Sequence, residues 1–189
     1  MSGFLLHLLR HGAPETPGLL MGRTDGAPTP AGIAACVDQV KDMAFATIIT
    51  SDLSRAAAAA QAIGGERNLP VWVDPRWREL DFGQWDGMAP AQVDAQAMER
   101  FWNDPDASPP PDGERWSALV ARVSSALDDL PPQETLVITH GGAMRAALAA
   151  LLGFDQRQLW AFDLPYGALL SLRVWPGAPR SGQIIGLRP

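Results

Sequence analysis

Twice in this chain a short apolar run stops at a histidine followed by glycine, and the two places are more than a hundred residues apart. The first run, Phe4-Leu5-Leu6-His7-Leu8-Leu9, leads into Arg10-His11-Gly12, and the second, Thr135-Leu136-Val137-Ile138-Thr139, into His140-Gly141-Gly142. Runs this short and this apolar suit strands buried on both faces of a parallel sheet. Open sheets of that kind place their ligand crevice beyond the carboxyl ends of the strands. If the two strands are neighbours, both imidazoles converge on one point, and helix N-termini aimed at that point favour an anion.

The chain between and after these junctions alternates strand-like and helix-like segments. Residues 13–27, with Pro14, Pro17, Gly18, Gly22 and Gly26, read as a loop. Thr29-Pro30 is an N-cap followed by proline at the first helical position, with Ile33, Val37, Val40 and Met43 at helical spacing. Residues 45–50 read as a strand, and Ser51 or Asp52 then caps an alanine-rich helix ending near Gly64-Gly65. Val71-Trp72-Val73 is a short strand, and a weak helix is expected over 90–102 before the proline-rich stretch 103–113. An amphipathic helix over 114–130 stops at Pro131-Pro132, and the run 143–152 is a helix closed by Gly153. Residues 156–162 read as a short helix or turn, 168–174 as a strand and 183–187 as an edge strand. The order predicts an α/β fold: a three-layer, doubly wound, mostly parallel sheet with helices on both faces, in a single domain over residues 1–189.

A formal net charge of −6 excludes the basic field that nucleic acid binding needs, so any attraction for phosphate must be local. One cysteine, Cys36, leaves no internal disulfide and reads as a small buried residue of the first helix. No basic segment precedes the first apolar run, which is far too short for a membrane span, so neither a signal peptide nor a membrane span is expected, and the cytoplasm is the default location.

Several polar residues stand where chemistry is possible. Arg55 falls in the first turn of the alanine-rich helix, where the helix dipole disfavours a cation by about 0.3–1 kcal/mol when exposed. Either a bound phosphate held by a bidentate guanidinium or a surface salt bridge to Asp52 would compensate. The segment Glu79-Leu80-Asp81-Phe82-Gly83-Gln84-Trp85-Asp86-Gly87 sets three carboxylates among apolar side chains, where desolvation can raise a carboxyl pKa far enough to keep a proton. The residues themselves do not choose among Glu79, Asp81 and Asp86. His7 shares a strand side with His11 but lies about 13 Å away, and is read as structural.

Four motifs in this order, Arg10-His11-Gly12, Ser51-Asp52-Leu53-Ser54-Arg55, Glu79 to Gly87 and His140-Gly141, resemble the histidine phosphatase superfamily in its phosphoglycerate mutase-like branch, over nearly the whole chain. The resemblance implies that His11 attacks phosphorus to form a phosphohistidine, that Arg10, Arg55 and His140 surround the phosphoryl oxygens, and that Glu79 protonates the leaving oxygen. It implies no metal or cofactor. Its substrate contacts would map to Gly12, Gly141, Arg23 and Thr24, although the loop carrying Arg23 is shorter here and lacks the family's usual asparagine. The segment 88–113 corresponds to an insertion that covers the pocket and would bring Trp102 and Trp116 near the leaving group. Trp102-Asn103-Asp104 followed by Pro111-Asp112-Gly113-Glu114 is similar to the alpha-ribazole phosphatases within that branch.

The expected partner is a small phosphorylated metabolite, hydrolysed by a protein that is a monomer or homodimer. Phosphoglycerate mutase-type transfer is the alternative, but a mutase must bind a second phosphorylated ligand, and the segment 88–113 offers only Arg100 as a basic residue. A non-catalytic phosphate-binding module predicts loss of at least one of Arg10, His11, Arg55 and His140, all of which are present. A metal hydrolase built on His7, His11 and His140 fits no zinc spacing.

Overall fold

In the computed structural model, which describes residues 3–189, the first apolar run forms strand β1 (Phe4–Arg10). Helix α1 (Pro30–Gln39), β2 (Thr47–Thr50), α2 (Ser54–Arg67), β3 (Val71–Val73), α3 (Ala95–Asn103) and α4 (Trp116–Asp128) follow. The second histidine junction joins β4 (Thr135–Thr139) to α5 (Gly141–Leu152), and α6 (Gln156–Leu159), β5 (Leu169–Trp175) and β6 (Ser181–Arg188) complete the order.

The strands lie in one sheet in the order β3-β2-β4-β1-β5-β6, parallel from β3 to β1, with β5 and β6 added antiparallel at one edge. The two histidine-bearing strands are therefore neighbours. Their register runs from Leu6 opposite Thr135 to Arg10 opposite Thr139, so His11 and His140 each follow the last pair and leave the sheet at the same end. On the far side of β4, Thr50 pairs with Ile138, which brings Ser51 to that end as well.

Alternation along each strand assigns the two faces. Leu6, Leu8 and Val137 enter a core with Leu119 and Val123 of α4 and Ala147 and Leu148 of α5. Leu9, Leu136 and Ile138 enter a second core with Cys36 of α1 and Ala56, Ala59 and Ala60 of α2. Small side chains on α2 let that helix lie close against the sheet, as its alanine flank implied. His7 meets Ser171 directly across the β1–β5 pair, with Nδ1 2.8 Å from the hydroxyl, and burial holds its pKa below the usual histidine range. Among the described residues no helix is long and apolar enough to cross a membrane.

Local boundaries differ from the sequence reading where a distant group takes over a cap. Helix α2 begins at Ser54 with no side-chain cap of its own; the Asp25 carboxylate accepts the Ser54 N–H at 2.9 Å, while Ser51 Oγ accepts that of Leu53. The helix also runs past Gly64-Gly65 to Arg67 and stops where Asn68 turns left-handed. Gly64 is there for packing, since a Cβ on it would lie 2.7 Å from Val71 of β3. The helix expected over 90–102 divides into a 3-10 turn, Pro90–Gln92, and α3, whose start is capped by Asp94 accepting the Ala97 N–H.

Candidate active site

His11 leaves β1 with its backbone still in the sheet's ladder, its N–H donating to Thr139 O at 3.0 Å and its carbonyl accepting the Gly167 N–H. Its Nδ1 lies 2.8 Å from Gly12 O. A carbonyl only accepts, so Nδ1 carries the ring proton and Nε2 keeps its lone pair. Burial pushes the His11 pKa down to about 3, opposed by the Gly12 bond and aided by the Arg55 and Arg10 charges. The imidazole is therefore neutral at neutral pH, as a nitrogen nucleophile must be.

His140, the N-cap of α5, sets its ring 5.0 Å from that of His11 at 61°. Its Nε2 meets Ser51 Oγ at 3.0 Å, while its buried Nδ1 has no hydrogen-bond partner in the protein. Burial, then His11, Arg55 and Arg10, keep it neutral.

Two guanidiniums complete the group. Arg55 is 2% exposed and donates to main-chain oxygens of the loop after β1: Thr24 and Met21 at 2.8 Å and Gly22 at 3.1 Å. Its nearest carboxylate contact is Asp25 at 3.7 Å, and Asp52 pairs instead with Arg78. The proposed Asp52–Arg55 bridge is thus replaced, because Asp52 lies ahead of the helix rather than on its first turn. Arg10 donates to Leu164 O at 2.6 Å and stacks 4.2 Å over Tyr166. The Nε atoms of both arginines are buried with no protein partner.

Of the three candidate carboxylates, Glu79 alone lines the cavity that opens from His11. Its Oε2 accepts the Gly142 N–H at the start of α5 at 3.0 Å, and its Oε1 accepts the Leu80 N–H at 2.8 Å. Asp81 accepts from Arg23 Nε and the Gly83 N–H, and Asp86 from the Arg23 and Thr24 N–H groups. The cavity has a volume of about 340 Å³ and is walled by Arg10, His11, Arg55, Glu79 and Gly141 at its inner end. Among the described residues, no three His, Cys, Asp or Glu side chains are grouped so as to hold a metal ion.

A neutral imidazole set between two guanidiniums at the end of a parallel sheet matches a known family. The model of the histidine phosphatase superfamily (branch 1) covers residues 6–184. The chain belongs to this superfamily. It is similar to the adenosylcobalamin/alpha-ribazole phosphatase of Escherichia coli strain K12, 30% identical over 184 residues and covering 89% of each chain. It is also similar to the "probable phosphoglycerate mutase GpmB" of Yersinia pestis, 30% identical over 162 residues, covering 78% of this chain and 74% of that protein. Among solved structures, mycobacterial glucosyl-3-phosphoglycerate phosphatase superposes with a TM-score of 0.84 at 25% identity, over 97% of both chains.

In this histidine phosphatase the residues expected to touch substrate do not all reach the cavity. Gly141 lines it, but Gly12, Arg23 and Thr24 do not. Gly12 instead lets α1 approach, since a Cβ there would fall 2.1 Å from Gly32 O. Arg23 is exposed and pairs with Asp81 at 3.1 Å, and Thr24 serves through its carbonyl to Arg55.

Other residues enter that sequence reasoning passed over. Ser51 reads from the sequence as a candidate helix cap, yet its hydroxyl also meets His140. Tyr166, the one tyrosine, lies beneath Arg10 with its ring 5.4 Å from that of His11. Arg145 lines the cavity one turn into α5; the signal was a lone charge in an otherwise apolar helix. Arg122 of α4 donates to the carbonyls of Arg76, Arg78 and Glu79 while pairing with Glu114, so it fixes the segment that carries Glu79.

Proposed function

We propose that the protein is a phosphomonoester hydrolase that works through a phosphohistidine on His11. The observation that carries this reading is the set of unpartnered nitrogens around that imidazole: the Nε donors of Arg10 and Arg55 and the Nδ1 of His140 are all buried without a hydrogen bond in the protein. Buried donors left unmade cost about 1–3 kcal/mol each, and a phosphoryl group offers the acceptors they lack.

In this mechanism His11 Nε2 attacks phosphorus, the N–P bond forms as the P–O ester bond breaks, and Glu79 gives its proton to the leaving alkoxide. Water then attacks the phosphohistidine, Glu79 takes its proton, and the N–P bond breaks to return the imidazole. Arg10, Arg55 and His140 stabilise the charge on the three phosphoryl oxygens, the electrostatic task that dominates phosphoryl transfer. Hydrolysis is favoured over mutase transfer because the cavity has only one further cation, Arg145, and Arg100 of the covering segment does not line it. The substrate is a small phosphorylated metabolite, met in the cytoplasm by a monomer or homodimer.

The test is turnover of p-nitrophenyl phosphate in EDTA, with rapid acid-labile labelling of the wild-type protein and loss of both turnover and label in His11→Ala. Label that persists in that variant places the nucleophile elsewhere. Failure of the wild type to turn over between pH 4 and 8 refutes the enzyme reading.

A further inference from the structure

Ser51 is the first residue past β2, and the sheet sets its place. Thr50 still pairs with Ile138 of β4, and the Ser51 N–H donates to Ile138 O at 3.1 Å, so the residue emerges where β4 also ends and His140 begins. Ser51 has no exposed surface and His140 has 1%. Polar atoms this deeply buried must find their partners inside the protein or in a ligand. The serine hydroxyl has one proton to give and two lone pairs to offer. One lone pair takes the Leu53 N–H at 3.3 Å. His140 Nε2 stands 3.0 Å away, and among the described residues it is the one acceptor within hydrogen-bond distance of that hydroxyl. Burial and the neighbouring charges keep His140 neutral, so its ring carries a single proton, and two placements of that proton compete. On Nε2, it is donated to Ser51, the serine proton is left without an acceptor, and Nδ1 holds a bare lone pair. On Nδ1, it lets the serine donate to Nε2, and the Nδ1–H is then the only group of the pair still without a partner.

We propose that Ser51 is a positioning residue: its hydroxyl donates to His140 Nε2 and so fixes the ring proton on Nδ1, which donates to a phosphoryl oxygen. Which nitrogen of an imidazole holds the proton is set by what the other one bonds, and a buried group with a single available partner sets it firmly. The opposite tautomer would turn a lone pair on an anion that only accepts. His11 reaches the same tautomer by a different route, since its Nδ1–H donates to Gly12 O. The two rings, 5.0 Å apart, then do opposite work: His11 keeps a lone pair on Nε2 for attack, and His140 keeps an N–H on Nδ1 for an oxygen. The catalytic half of the proposal rests on the phosphatase reading; the tautomer half belongs to the free protein and does not.

The test is long-range proton–nitrogen NMR correlation of histidine-labelled protein, in which protonated and bare ring nitrogens are well separated. The chain has three histidines, so His140 is assigned by its loss in His140→Gln. In the wild type His140 should be wholly Nδ1–H, and that proton should shift on titration with inorganic phosphate. Ser51→Ala should move the ring toward a mixture of both tautomers and lower kcat/KM by roughly ten- to a hundredfold, below the 10²–10³ that loss of a whole donor to developing charge costs. The loss should be similar for p-nitrophenyl phosphate and an alkyl phosphate, because the donor serves the transferred group and not the leaving one. A purely structural role, through the Leu53 N–H at the head of α2, would lower Tm without moving the ring proton. A wild type with the proton on Nε2, no response to phosphate, a Ser51→Ala ring still wholly Nδ1–H, or a loss confined to the alkyl ester overturns the proposal. If Ser51→Ala does not fold, the wild-type tautomer and its response to phosphate decide alone. A protein that shows the expected tautomers but hydrolyses nothing would refute the phosphatase reading while sustaining the role of Ser51 at His140, and brisk turnover with His140 as Nε2–H would refute the proposal alone.

Discussion

Replacing Gly142 by alanine sets helix propensity against the placement of one carboxylate. Gly142 sits in the first turn of α5, where alanine is favoured over glycine by up to about 1 kcal/mol, so on local grounds the variant should melt no lower than the parent. The added Cβ, however, would lie 2.1 Å from Glu79 Oε1 and 3.1 Å from its Cδ. A carbon–oxygen contact needs about 3.3 Å, so the carboxylate must withdraw by more than about 1 Å. That motion strains both bonds that fix it, from Gly142 N at 3.0 Å and Leu80 N at 2.8 Å. A displacement of this size costs on the order of 10²-fold when the displaced group takes part in the chemistry. The expected result is a loss near that size in kcat for an alkyl phosphate, a much smaller loss for p-nitrophenyl phosphate, whose leaving group needs no proton, and an unchanged or higher Tm. Equal losses on both esters, or none on either, would remove Glu79 from the role of acid.

Two further outcomes follow from the same geometry. His11 has its folded pKa depressed to about 3 and that of His140 is lowered too, so the unfolded chain binds protons the folded one refuses as pH drops below about 6.5. Stability is full above that value and falls by about 1.4 kcal/mol per histidine per pH unit below it, for His11 down to about pH 3. Urea melts between pH 7 and 4.5 should show this slope flatten in His11→Gln, and an unaltered slope would contradict the assigned burial of a neutral ring. Arg122→Met leaves Glu114 without its 2.7 Å partner and the carbonyls of Arg76, Arg78 and Glu79 without donors. A loss of about 3 kcal/mol in denaturant unfolding is expected, and less than about 1 kcal/mol would mean that the clamp is not structural.

How much could be seen in the sequence depended on whether a residue's surroundings are local. His11, His140 and the ends of β1 and β4 were legible because an apolar run that breaks at a histidine is a local pattern, and adjacency of the strands then brings the rings together. The left-handed Gly153 after α5 was legible for the same reason. Arg55 was only half legible: its need for a partner follows from its place in α2, but the partners are carbonyls more than thirty residues away in a loop with no signature. Glu79, Asp81 and Asp86 look alike along the chain, and only folding separates the one facing the cavity from the two that brace the loop after β1 through Arg23 and Thr24. Arg122 was hidden altogether, since on an amphipathic helix a charge serving three carbonyls looks the same as one serving water.

The two sides of the cavity are built with unequal freedom. The loop after β1 is strung onto Arg55 by three of its own carbonyls, so lengthening or reshaping it would disturb a guanidinium that lines the cavity beside His11. The side made by α3 and α6 is joined through one glutamine and a pair of indoles, none of which bonds to His11, His140, Arg10 or Arg55. New substrate ranges in a lineage of such proteins should therefore arise by rewriting that second side, with the first inherited almost unaltered.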